Sequence, residues 1–235
     1  MRVLLFILPF CLLTSCVNRA AIREKARSKF DRLETKFKLL TSRRLVSSRN
    51  YVTDQKAILK LSDRSQSLAK RYEKLALADI KAKTPNKWTY AALYRSAQLY
   101  EELGRSIKDI RSYYKMRKQS IAVAGLGVLY KNARKEAFEG YIRTLFLANY
   151  YHRNEPSQTD HIRSKNDWLI RANTSRCSIG RDYGSHGYYS TMKSSLQLAS
   201  RMDRIPLSGE KLETEMRHFR RNDQYTFSSC PSIFK

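Results

Sequence analysis

The sequence predicts an all-α protein, and three observations carry that prediction. Long stretches free of Gly and Pro place apolar residues at steps of three and four, the repeat of an amphipathic helix. No segment alternates apolar and polar residues as a half-buried strand does. The breaks between the periodic stretches are short and polar, which suits helices that fold back on one another.

Residues 19–48 read as the first helix, with Ala26, Phe30, Leu33, Phe37 and Leu40 along one face. After the polar break Ser47-Ser48-Arg49-Asn50, a second helix runs over 53–83. Its seam is Ile58, Leu61, Ser65, Leu68, Tyr72, Leu75, Asp79 and Ala82. A two-position seam held for more than three heptads is coiled-coil-like, so 16–84 reads as a long αα-hairpin that projects from the body or packs along one further helix. Pro85 disfavours helical geometry at Thr84 and closes the pair.

Residues 85–153 read as a helical core. The stretch 86–116 reads as helix, Gly104, helix. The oily run IAVAGLGVLY, 121–130, is too short to span a bilayer and is expected to cross the core, with Gly125 and Gly127 allowing close packing. Residues 132–151 carry Phe138, Tyr141, Ile142, Leu145, Phe146 and Ala148 on one broad face, which predicts a central helix. Residues 154–235 read as short helices and loops: a linker at 154–159, a helix over 160–172 with Ile162, Trp168 and Leu169, a Gly- and Tyr-rich loop at 177–190, and two further short helices.

The first sixteen residues read as an address. Arg2 precedes an apolar run, Val3 to Leu13, that is about half the length a membrane span needs. A positive start, a short oily stretch and small residues form a secretory signal. Leu13-Thr14-Ser15-Cys16 resembles the lipobox of bacterial lipoproteins. That resemblance implies cleavage before Cys16, a diacylglycerol on its thiol and an acylated new amine. Val17, in place of the Asp tied to inner-membrane retention, implies an outer-membrane anchor facing the periplasm. Without lipidation, the same segment reads as an ordinary cleaved signal. Leu93, Ala97, Tyr100, Gly104, Ile110 and Tyr113 also resemble the spacing of one tetratricopeptide repeat, with departures at Ser96, Asp109 and Met116 and no second copy 34 residues away.

Composition narrows the partners. A formal charge of +25 on 235 residues calls for an anionic neighbour. Outside the cytoplasm the candidates are phospholipid headgroups, lipopolysaccharide phosphates, acidic wall polymers and transiting nucleic acid. Cys177 and Cys230 make an even pair for an oxidising compartment. A disulfide between them closes a loop of about 53 residues, worth about 4 kcal/mol in chain entropy.

Catalytic signatures are sparse. HExxH, GxSxG and GxxxxGK[ST] are absent, and five Ser-x-x-Lys matches are what a Ser- and Lys-rich chain produces by chance. His152, His161, His186 and His218 lack the spacing that puts two ligands on one ion, so no metal or cofactor is expected. A lysozyme-like wall hydrolase is the enzymatic alternative. It needs a carboxylic acid in an apolar pocket, and Glu136 or Glu139 on the central helix would supply it. The loop holding Arg181, Tyr183, Tyr188 and Tyr189 reads either as a partner-binding surface or as a loop tucked down by its own tyrosines. The sequence thus predicts a non-enzymatic, lipid-anchored scaffold that binds a protein partner or an anionic polymer.

Overall fold

The computed structural model describes residues 4–42, 45–152 and 165–179, with a few further positions between 190 and 214; within 4–23 it describes the helix and the side chain of Ala21 alone. Five long helices make up this region: α1 (Leu4–Thr41), α2 (Tyr51–Lys81), α3 (Lys87–Met116), α4 (Ser120–His152) and α5 (Lys165–Ile179). No strand occurs among the described residues, so the protein is all-α.

Short connections make consecutive helices antiparallel. α3 packs on α2 and α4, α5 packs on α4, and α1 lies against α2 and α3. The first two helices therefore pack along a further helix. Their burial follows the seam: Ala26, Phe30 and Phe37 on α1, and Ile58, Ser65, Leu68, Tyr72 and Leu75 on α2, are buried. Asn50 caps α2 by accepting from the Thr53 amide at 3.1 Å. Asn86 caps α3 in a reciprocal box with Thr89, whose hydroxyl also donates to Asp79 at 2.9 Å and binds the start of α3 to α2.

α3 is unbroken from Lys87 to Met116, so the turn expected at Gly104 is absent. Glycine inside a helix costs about 1 kcal/mol relative to alanine. Here the missing Cβ makes room for Arg134 of α4, whose Nε would lie 3.2 Å from it. A tighter contact of α3 and α4 lies nearly two turns away, at Gly140, where a Cβ would come within 2.8 Å of the Ala97 Cβ and 3.1 Å of its Cα.

Two hydrophobic clusters fill the interior. The larger draws on all five helices and includes Phe30, Tyr72, Tyr94, Phe138, Tyr141, Ile142, Leu145 and Trp168. Phe138, Tyr141, Ile142, Leu145, Phe146 and Ala148 are all buried, which makes α4 the central helix that the sequence predicts. The smaller cluster holds eight buried residues, among them Ile58, Ile107, Ile110, Tyr114 and Leu126. It sits at the other end, where α3 turns into α4 and α2 begins. The oily run 121–130 lies there and does not cross the core. It forms the first turns of α4 and buries only Ala122 and Leu126, while Ile121 and Val128 face solvent. Among the described residues, no element covers that outer face. Gly125 lies against the Tyr51 hydroxyl, but Gly127 has ordinary room, so only the first is a close-packing position.

Candidate functional site

The carboxylates inside the bundle serve structure. Glu34 of α1 takes a two-pronged ion pair from Arg95 of α3, at 2.8 and 2.9 Å, and a hydrogen bond from the Tyr72 hydroxyl. Arg95 also lies over the Phe37 ring, 4.5 Å from its centroid. Glu101 accepts from the buried Tyr141 hydroxyl and from Arg171 of α5 at 2.9 Å, and Arg171 pairs with Asp167 at 3.0 Å. Burial and the Glu101 charge push the Tyr141 phenol well above its usual range. Such groups join helices.

Asp54 is the most enclosed carboxylate among the described residues, 2% exposed. Burial alone would raise it, but four donors outweigh burial and hold it below its ordinary value: the Ser47 and Ser48 hydroxyls, the Ser48 amide and the Tyr114 hydroxyl, all within 2.6–2.7 Å. Tyr114 is pushed up to about 12 by burial and by that bond. The cluster binds the α1–α2 connection to the end of α3.

The two glutamates of the enzymatic alternative differ. Glu139 is half-buried and pairs with Lys135 at 3.9 Å. Glu136 is exposed at the edge of a groove of about 390 Å³, beside Tyr100, Asn132 and Gln66. Its carboxyl is raised, first by the desolvating groove wall and then by Glu139. It is a surface acid shielded on one side, and among the described residues no second carboxylate lines the groove.

Surface charge is uneven. Lys25, Lys29, Arg32, Lys36, Lys60, Arg64, Lys70 and Lys74 are exposed along α1 and α2. Between them a shallow groove of about 410 Å³ is lined by Leu39, Leu40 and Leu68, by Lys36, Arg64 and Arg71, and by Asp63. At the end where α3 turns into α4, Lys115, Met116, Arg117, Lys118 and Ile121 are all exposed. No Asp or Glu occurs from 35 to 53 or from 110 to 135, the two segments that form this end. Sequence reasoning missed that pairing. The two acid-free runs were visible, but only the antiparallel packing of α1 to α4 brings them together.

The structure places the other expected residues as follows. Cys16 lies on α1, outside the described side chains. Cys177 lies in the last turn of α5, not in a loop, and is disulfide-bonded; Cys230 lies outside the described residues. Arg181, Tyr183, Tyr188 and Tyr189 also lie outside them. Among the described residues, no helix is long and apolar enough to cross a membrane, and no three His, Cys, Asp or Glu side chains gather as metal ligands. Comparison with family models, with curated proteins and with solved structures found no match.

Proposed function

We propose that this chain is a non-enzymatic scaffold of a bacterial cell envelope, tethered through lipid on Cys16 and holding a protein partner or an anionic envelope polymer against a basic helical body. Cys177 and Cys230 are the pair we assign to the disulfide. The observation that carries the reading is the division of charge. The enclosed carboxylates are engaged in joining helices, while the cationic surplus lies on the outside. A surface of that kind attracts polyanions without any reaction to perform.

The tether fits the shape of α1. Phe30 packs beside Trp88 at the start of α3, with ring centroids 5.4 Å apart. Cys16 is fourteen residues earlier on the same helix, roughly 20 Å beyond that point at 1.5 Å per residue. An acylated Cys16 would hold the body by the α2–α3 end. Cys16→Ser is expected to move the protein from the membrane fraction to the soluble one and to abolish palmitate labelling. An unchanged distribution and unchanged labelling would refute the tether.

The second reading, a wall hydrolase, rests on Glu136 at its groove. Glycoside hydrolysis ordinarily uses two carboxylates flanking the bond, and this groove offers one. A cell-wall zymogram that shows no lysis band agrees with the scaffold. A band that disappears in Glu136→Gln would replace it.

A further inference from the structure

The end of the bundle where α3 turns into α4 carries exposed apolar side chains that neither the fold nor a purely ionic partner uses. Met116 is 77% exposed and Ile121 83% exposed. Ile121, Ala124 and Val128 follow at steps of three and four and are all exposed, so they share one outer face of α4. The neighbouring connection adds Val46, 85% exposed, and Val52. Topology brings the two connections together: Tyr114 near the end of α3 bonds Asp54 and stacks edge-on to Tyr51, with centroids 5.8 Å apart, and Arg111 donates to the Val123 carbonyl at 3.1 Å. Lys115, Arg117, Lys118 and Arg49 are exposed among these apolar groups.

We propose that this tip is a membrane-contact surface that inserts Met116, Ile121 and Val128 into the headgroup boundary of an anionic phospholipid bilayer, with Lys115, Arg117, Lys118 and Arg49 on the lipid phosphates. This goes beyond the tether and does not depend on it. The chemistry is selective. A nucleic acid or wall polymer would engage the cations but leave the apolar groups in water, whereas a bilayer interface takes both. Apolar side chains presented with cations and without an acid are the composition of an interfacial anchor. Its distance from Cys16 makes it a second point of attachment: Thr41 lies roughly 38 Å from Cys16 along α1.

The test is amide hydrogen exchange of residues 113–128 in the full chain purified from membranes. The chain is mixed with vesicles of phosphatidylcholine alone, vesicles containing phosphatidylglycerol, or duplex DNA. Expected is slower exchange at 117–122 on the anionic vesicles only. That slowing should be lost in Ile121→Ser/Val128→Ser, and affinity of the tip should fall about fivefold in Lys118→Gly. All three positions are exposed, so these variants keep the fold. Equal exchange on both vesicles while the chain co-sediments with each would overturn the tip and leave the tether standing. Slowing by DNA but not by vesicles would also overturn it, in favour of a polyanion. Sedimentation with anionic vesicles alone, with 117–122 slowed, would leave the tip standing and remove the tether.

Discussion

The two ends of the bundle are built from the same helices and differ in what those helices bury. At the α2–α3 end, five helices enclose Trp168, Tyr94, Tyr141 and Phe138, and each nearby carboxylate meets a guanidinium or hydroxyl. At the α3–α4 end, eight buried residues make a thinner core, and the oily run 121–130 buries only Ala122 and Leu126. Stability is concentrated at one end and accessible chemistry at the other. The same apolar composition is packed where a fifth helix covers it and exposed where, among the described residues, none does.

Truncation should separate the ends most sharply. Trp168→Ala removes a fully buried indole that faces Tyr94, with centroids 6.1 Å apart. Its expected cost is about 3–5 kcal/mol. Ile121→Ser at the other end is expected to change stability by less than about 0.5 kcal/mol. Urea denaturation of both variants checks the contrast, and comparable losses would mean that Ile121 is covered in solution.

A smaller loss is expected at the helix contact. Gly140→Ala forces a Cβ against both the Cβ and Cα of Ala97, and backbone cannot swing aside as a side chain does. Overpacking of this kind costs about 1–3 kcal/mol. Gly104→Ala meets only side-chain atoms of Arg134, none nearer than 3.2 Å, and should cost less. Thermal midpoints of the two alanine variants measure the difference.

Acid should act on the ends in opposite directions. Asp54, at the thin end, is held below its ordinary 3.8, so it adds stability while ionised and loses it as pH falls through its folded-state value. Asp79, at the dense end, and Glu102 and Glu136 along the body are raised, chiefly by burial. Each of these opposes folding while ionised in both states. That penalty disappears as pH falls from the raised value to the ordinary one. Stability should therefore hold or rise as pH falls toward about 4 and drop beneath it. Asp54→Asn is expected to lower stability at neutral pH by about 1–3 kcal/mol, because the hydrogen bonds of a charged acceptor are weakened, and to flatten the drop in acid. Urea midpoints across the acid range give the slope directly.

What the sequence made legible was whatever repeats. The faces of α1, α2 and α4 follow from apolar steps of three and four, and burial at Phe30, Tyr72 and Phe138 agrees. What it hid depends on partners far along the chain. Gly104 reads as a break until Arg134 is seen to occupy its missing Cβ. Asp54 draws no notice in the sequence, because its donor Tyr114 lies 60 positions away. Residues 121–130 read as core because hydropathy records what a segment would prefer to bury, not whether another helix arrives to cover it.

The smallest expected effect gives the sharpest comparison. Lys83 and Lys118 each follow a helix C-cap, one at each end, and both adopt a left-handed backbone with φ of 56°. Glycine is the ordinary occupant of that position, since a Cβ there is strained. Replacing either lysine by glycine should therefore stabilise the fold by up to about 1 kcal/mol, less the entropy glycine adds to the unfolded chain. The two substitutions remove one charge each and relieve the same strain, so their denaturation curves should shift alike. On anionic vesicles they should part, Lys118→Gly loosening the tip and Lys83→Gly leaving it as it was. If both variants bind alike, the charge at 118 acts only through the overall field of a +25 chain, and the contrast between the two ends is one of packing alone.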